Sequence, residues 1–161
     1  MNDLLFVSDI TVDPNAMARV ANLFLESAKF HAPQYAWAFS RYSAIGDITI
    51  EATDTEAVAG SVFKGHAVSV ETKISITLAT ETRNNSLVVS FVALIRSTAS
   101  CQFYGLGNFT CGAASNALPA NEFTLESMND AIQQALVELA EKGSFGLTAL
   151  AATMLPPAPN A

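Results

Sequence analysis

The clearest signal of the fold is in residues 68–95, VSVETKISITLATETRNNSLVVSFVALI. Its first half alternates aliphatic residues on even positions with polar residues on odd positions, which is the period of a half-buried antiparallel strand. The turn signal that follows includes Asn84 and Asn85, and asparagine tolerates the positive φ of a tight turn. We therefore predict a β-hairpin. Its inward set is Val68, Val70, Ile74, Ile76 and Leu78, and its solvated set is Ser69, Glu71, Lys73, Ser75 and Thr77.

The return strand of this hairpin, residues 87–95, is apolar on both of its alternating sides. A strand of that composition is buried on both faces, although its hairpin partner leaves one face polar. We therefore predict that the return strand lies centrally in the sheet. Helices or another chain are expected to cover the side that the partner leaves polar.

Three further segments alternate in the manner of strands. Residues 4–12 carry apolar side chains on one face, and residues 45–51 set isoleucines against polar residues. Between them, Tyr35, Trp37 and Phe39 share one side of a segment, so we predict a strand with large aromatic rings on one face.

Two segments have the apolar spacing of amphipathic helices. In residues 14–31 apolar side chains recur every three to four positions, and Asp13 is a suitable N-cap. The second helix is predicted for residues 125–142, because Thr124 can cap its beginning and Gly143 can end it.

The order of these elements predicts an α+β fold with one antiparallel sheet of about five strands and two main helices packed on one face. Residues 1–155 are expected to form this single α+β domain. Within it, residues 145–155 are a short strand or helix that docks on the sheet. Residues 156–161 are rich in proline and are expected to form a flexible tail.

Composition restricts the classes of partner. Of the 161 residues 14% are charged, with fifteen acidic against eight basic side chains and a formal net charge of -7. Nucleic acid and anionic membranes are disfavoured as partners, because binding to phosphate needs a basic stripe that this sequence lacks. We expect no signal peptide, because residues 1–3 carry no basic side chain and the apolar run of residues 4–7 is shorter than the roughly 7–15 residues that a signal needs. A mature form whose signal was replaced by Met1 is the alternative. We expect no membrane insertion, since the nearest uncharged apolar stretch, residues 145–155, is about half the roughly 20 residues of a transmembrane helix. The low charged fraction indicates that a partner, ligand or second subunit covers some apolar surface.

No motif in the sequence predicts catalysis. The two histidines, His31 and His66, lie outside the spacings that zinc enzymes use, and the glycines of residues 105–107 lack the remainder of a phosphate-binding loop. An enzyme is therefore the third-ranked interpretation. We expect no metal site and no cofactor.

The two cysteines lie in an uncharged segment, residues 97–121. Cys101 and Cys111 enclose a short glycine-containing loop, so we predict a disulfide between them, with two reduced thiols as the alternative. A disulfide would indicate a periplasmic or extracellular location, and free thiols a cytoplasmic one.

The same uncharged segment supplies the first recognition hypothesis. Phe103, Tyr104 and Phe109 on a disulfide-bonded hairpin would present rigid aromatic side chains, which are typical anchors of interfaces. The contact would be with a partner protein or with a second copy of the chain. Alternatively, the loop folds over an open face of its own sheet.

The second recognition hypothesis concerns the aromatic strand. Tyr35, Trp37 and Phe39 could line a pocket for an apolar small molecule beneath the helices. Ordinary core packing of these rings is the alternative.

The order of elements resembles two known fold families. Asp13-Pro14 leading a helix, Gly46-Asp47-Ile48-Thr49-Ile50 after an aromatic strand, and the hairpin of residues 68–95 resemble the TATA-binding-protein-like domains of bacterial envelope proteins. An initial strand and helix followed by a sheet and a terminal helix also resembles the helix-grip ligand-binding family. The first resemblance implies a bacterial cell envelope as the setting. Together with the uncharged aromatic loop of residues 97–121, and with residues 145–155 as a further contact surface, it predicts a non-enzymatic interaction or assembly module. The second implies a small-molecule-binding protein with a helix-covered pocket.

Overall fold

The structure is a computed structural model that describes residues 4–5, 14–43 and 47–154. Its two α-helices are α1 (Pro14–His31) and α2 (Leu125–Met154). A short 3-10 turn, Ala120–Glu122, precedes α2. The strands are β1 (Ala38–Tyr42), β2 (Ile48–Phe63), β3 (His66–Arg83), β4 (Ser86–Cys101), β5 (Tyr104–Ala114) and β6 (Leu118–Pro119).

These strands form one open antiparallel sheet in the order β1-β2-β3-β4-β5, and β6 pairs with β4 beyond the end of β5. The α+β fold predicted from the sequence is therefore confirmed. The hairpin that decided it is also confirmed, with Leu78 opposite Phe91 and Ile76 opposite Ala93. Asn84 and Asn85 form its turn with φ of 51° and 63°, the two positive values of a type I′ turn.

The register aligns the apolar positions of three strands on one face of the sheet. Ile50, Ile76 and Ala93 lie opposite one another across β2, β3 and β4, and all three are fully buried. Both helices pack on this face, and the rings of Phe24 in α1 and Phe91 in β4 lie 5.5 Å apart. Each large side chain buried in this way stabilises the fold by roughly 1.5–3 kcal/mol. The helices contribute Met17, Val20, Phe24, Met128, Ile132 and Leu139 to the core.

β4 lies between β3 and β5, which confirms its central position, but the helices do not cover the side that was expected. They lie over the face on which β3 is apolar. On the opposite face Val92 and Leu94 are 41% and 45% exposed. Among the described residues no helix covers that face, so the expectation that the helices cover the polar side is wrong for this part of the chain, and covering by another chain stays a prediction.

Residues 97–121 are mostly strand rather than a loop. β4 continues to Cys101, Gln102 and Phe103 form a two-residue turn, and β5 runs back with Phe109 opposite Ser97. Its aromatic residues and its threonines, Thr98 and Thr110, favour a strand, whereas its glycines and alanines do not.

The predicted disulfide is wrong, because both cysteines are free. Cys111 lies opposite Ile95 on β4, and Cys101 lies six residues farther along that strand. At about 3.3 Å per residue the two cysteines are roughly 20 Å apart. A disulfide needs Cα atoms within about 7 Å.

The terminal helix is longer than predicted. It begins after Thr124, whose hydroxyl accepts a hydrogen bond from the Ser127 amide at 3.1 Å, so the predicted N-cap is confirmed. It then continues through Gly143 to Met154 instead of ending at residue 142. A glycine inside a helix costs only about 1 kcal/mol relative to alanine, and the alanines and leucines that follow it favour continuation. Residues 145–154 are therefore helical.

Several predicted features lie partly or wholly outside the described residues. Of the first strand, residues 4–12, only Leu4 and Leu5 are described, and Leu4 forms an isolated bridge with Thr124. Asp13 and the tail of residues 156–161 also lie outside. Among the described residues, no helix has the length and apolar character that crossing a membrane requires.

Candidate functional site

Two hairpin turns lie side by side at one end of the sheet. The β2–β3 turn is Lys64-Gly65, and the β4–β5 turn is Gln102-Phe103. Because β3 and β4 are adjacent and antiparallel, with Ser69 opposite Ser100, the two turns lie next to each other at the same end of the sheet. We call the resulting surface the hairpin-tip surface. It consists of Phe63, Lys64, His66, Phe103 and Tyr104.

The backbone of these turns is tightly constrained. Lys64 and Gly65 have φ of 49° and 82°, two consecutive positive values that match the twist of a hairpin. Phe103 has φ of 70°, a region that bulky side chains rarely enter. The fold therefore holds an aromatic residue in a strained conformation at the end of a hairpin, and the Phe103 side chain is 84% exposed there.

The side chains of the two turns contact one another. The Phe63 and Tyr104 rings lie 5.5 Å apart, and the His66 and Phe103 rings 6.2 Å apart, both edge to face. The ammonium nitrogen of Lys64 lies 4.6 Å from the centre of the Tyr104 ring, within the range of a cation–π interaction. Edge-to-face and cation–π contacts limit the rotamers of these side chains. The side chains of the two turns are consequently held against one another.

Lys64 is the only charged side chain among residues 62–66 and 101–105. Around it are the exposed aromatic rings and Val62, which is 68% exposed. The surface combines apolar area with one cation, and it holds no group of acids and histidines that could bind a metal. Throughout the part of the chain that the structure describes, no such group is found.

The structure separates the three aromatic residues that the first hypothesis grouped. Phe103 and Tyr104 belong to the hairpin-tip surface, but Phe109 lies opposite Ser97 and packs, half-buried, against the core. Phe63 and His66 take its place. The sequence signal that points to them is Lys64-Gly65, a short turn dipeptide of the kind that favours two-residue hairpins.

The second group, Tyr35, Trp37 and Phe39, does not form one aromatic strand face. Trp37 is buried in the core, and its ring nitrogen donates a hydrogen bond to the Ala32 carbonyl oxygen at 3.0 Å. Phe39 lies on the short strand β1, is 40% exposed and stacks edge to face on Tyr42. Tyr35 borders a cavity that neither Trp37 nor Phe39 lines.

That cavity lies between the end of α1, the middle of α2 and the sheet, and has a volume of about 290 Å³. Ile74 and Ile95 form its floor, Leu136 and Leu139 its helical wall, and His31 lies at its edge. A second cleft, of about 470 Å³, lies along the other side of α2, beside Phe91, Ser127 and Gln134. The helix therefore has an opening on each side.

Cys111 is the one nucleophilic group with a shifted pKa among the described residues. Burial raises the pKa of its thiol above the usual value, and nearby Lys142 opposes that rise. Lys142 is held in place because its ammonium donates a hydrogen bond of 2.8 Å to the Gly112 carbonyl oxygen. A raised pKa lowers the thiolate fraction at neutral pH, so Cys111 is poorly suited to nucleophilic catalysis.

The chain matches no protein-family model, no curated protein and no solved structure. The resemblance to TATA-binding-protein-like and helix-grip domains therefore stays a prediction.

Proposed function

We propose that the protein is a non-enzymatic interaction module whose hairpin-tip surface binds a partner protein, in an apolar pocket of that partner edged by a carboxylate. The observation that carries this proposal is Phe103. Its side chain is 84% exposed and its φ is 70°, so neither burial nor backbone preference explains a phenylalanine at this position. Strain of this kind is concentrated at functional sites.

Preorganisation supports a role as an interface anchor. Phe103 contacts His66, and Tyr104 contacts Phe63 and Lys64, so the rings lose little conformational entropy on binding. Aromatic side chains that enter a pocket of the partner supply most of the free energy at many interfaces. A pair of hairpin ends has a shape that fits into such a pocket.

Charge complementarity supports a carboxylate in the partner. Lys64 is the only charge on the surface, whereas the chain as a whole has a net charge of -7. An acidic partner is repelled by most of the protein and attracted at this end, which orients the encounter. The location in a bacterial cell envelope rests on the resemblance of element order alone, because free thiols provide no argument for an oxidising compartment.

Site-specific photo-cross-linking followed by affinity measurement tests this function. A photoreactive benzoylphenylalanine replaces Phe103 in cells that produce the protein, and in a control it replaces Phe30, which lies on α1 and is 79% exposed. We expect a protein cross-linked from position 103 and absent from position 30. Its affinity is then measured for purified wild type and variants.

Loss of the aromatic anchor should weaken that complex about thirtyfold or more, which is the effect of a hot-spot residue. The variant Phe103→Asn is chosen because asparagine suits the positive φ. Lys64→Glu should also weaken binding, by repulsion of the carboxylate, while Phe30→Gln should leave the affinity unchanged. Equal affinity of wild type and Phe103→Asn, a cross-link to a second copy of the chain or to lipid, or no cross-link would each refute the proposal.

A further inference from the structure

Nε2 of His31 is a buried polar atom whose hydrogen bonding is not accounted for. It is buried and has no hydrogen-bond partner among the described residues. Nearly all buried polar atoms in native proteins are hydrogen-bonded, so such an atom calls for a partner. His31 closes the last turn of α1 and borders the cavity of about 290 Å³ between the two helices and the sheet.

The described lining of this cavity is apolar at its floor and polar at its edge. Ile74, Ile95, Leu136 and Leu139 supply the apolar part, and Gln34 and Gln133 lie with His31 at the polar part. No Asp, Glu, Lys or Arg is found among the described lining residues. Burying an unpaired charge is costly, which disfavours a charged ligand.

The volume sets the size of the ligand. An apolar cavity of about 150 Å³ accommodates benzene. The cavity beside His31 is about twice as large, at about 290 Å³, and so corresponds to two fused rings. It also lies near the lower end of the range of known ligand pockets, roughly 300–1,000 Å³.

We infer that this cavity binds a neutral molecule about the size of two fused rings, with its apolar body on Ile74, Ile95, Leu136 and Leu139 and a hydrogen-bonding group paired with Nε2 of His31. Because Nε2 has almost no accessible surface in this structure, the pairing requires the imidazole ring to turn toward the cavity. The site goes beyond the proposed protein interface and does not depend on it. It also differs from the pocket predicted from the sequence, because Trp37 and Phe39 do not line it and Tyr35 does.

Three probes of matched shape test the inference. Indole offers an N–H donor, quinoline a nitrogen acceptor, and indene neither, so the first two cover both protonation patterns of the His31 ring. Affinities are measured by NMR titration. The reporter is the side-chain amide of Gln133, which lines this cavity, and the control is that of Gln134, which lines the cleft on the other side of α2.

We expect indole or quinoline to bind about fivefold more tightly than indene, the value of one hydrogen bond, and to shift Gln133 but not Gln134. His31→Phe keeps a ring of similar size and should abolish that preference. Ala140→Leu, at an exposed helical position beside the cavity, should weaken all three probes. The inference is refuted if no probe binds, if indene binds as tightly as the others, or if His31→Phe or Ala140→Leu changes nothing.

Discussion

Leu94 on β4 lies directly across the ladder from Gly112 on β5, and its side chain occupies the space that a larger residue at 112 would need. A Cβ atom at position 112 would lie 2.9 Å from Cδ2 of Leu94 and 3.2 Å from the carbonyl oxygen of Ala93. The glycine therefore lets an exposed leucine of the uncovered face pack flat on the neighbouring strand.

Gly112→Ala should accordingly be coupled to the side chain of residue 94. In the wild-type background the added Cβ atom at position 112 forces the Leu94 side chain to move. When residue 94 is alanine, the same Cβ atom is close only to the Ala93 carbonyl oxygen. We expect the free energy of unfolding to show a coupling of about 0.5 kcal/mol or more between Gly112→Ala and Leu94→Ala. Urea denaturation of both single variants and the double variant measures it; additive effects would contradict the packing.

Gly65 and Gly105 provide a matched pair for backbone strain. Neither has an atom within 4 Å of an added Cβ, but only Gly65 has a positive φ, +82°. Gly65→Ala should therefore lower the free energy of unfolding by about 1–2 kcal/mol. Gly105→Ala should raise it by up to about 1 kcal/mol, because alanine reduces the entropy of the unfolded chain. Equal effects at the two positions would contradict the turn geometry.

The positive φ of Phe103 is expected to lower the free energy of unfolding. Phe103→Asn should raise the free energy of unfolding by up to about 1 kcal/mol, because asparagine accepts a φ of 70° more readily. Phe103→Ala keeps the unfavourable φ and should give no such increase. Chemical denaturation distinguishes them, and a less stable Phe103→Asn variant would show that the ring contact with His66 outweighs the strain.

Thr124 should stabilise α2 through its hydroxyl. The Ser127 amide donates to Oγ1 of Thr124 at 3.1 Å, and the Thr124 amide donates to Oγ of Ser127 at 2.9 Å, a reciprocal cap. Thr124→Ala should cost about 1 kcal/mol in the free energy of unfolding. Thr124→Ser retains the acceptor and serves as the control. A loss of similar size in both variants would assign the effect to the threonine methyl group.

Cys111 should react slowly as a nucleophile. Because burial raises the pKa of its thiol, the thiolate fraction at pH 8 is below that of an unstructured cysteine peptide. Alkylation by iodoacetamide, followed at the Cys111 peptide by mass spectrometry, should be slower than for the free peptide. Lys142→Gln removes the opposing charge and should slow it further.

The same shift in pKa has a consequence for stability. The folded state retains the Cys111 proton more strongly than the unfolded state does. The stabilisation that the protonated Cys111 thiol contributes is therefore fully present below the ordinary thiol pKa. It is lost as the pH rises through the raised pKa of the folded state. Cys111→Ser should reduce this decline in stability at alkaline pH. Alkylation as fast as in the free peptide would contradict both expectations.

The residues of the hairpin-tip surface could be predicted only in part from the sequence. Phe103 and Tyr104 stood out as aromatic residues in an uncharged segment, and both lie on the hairpin-tip surface. Phe63 and His66, about forty residues earlier in the chain, could not be joined to them. Their contact depends on how far each hairpin extends, and the register of β4 with β5 determines that extent.

The hairpin of residues 68–95, the α+β class and the cap of α2 could be predicted from the sequence alone. Each follows from local periodicity or from a side chain beside its own backbone. The folded structure was needed to show that Cys101 and Cys111 stay apart and that His31 borders a cavity. These features depend on strand register and on packing between distant segments. A pattern of single residues along the chain does not contain that information, since many registers satisfy the same alternation.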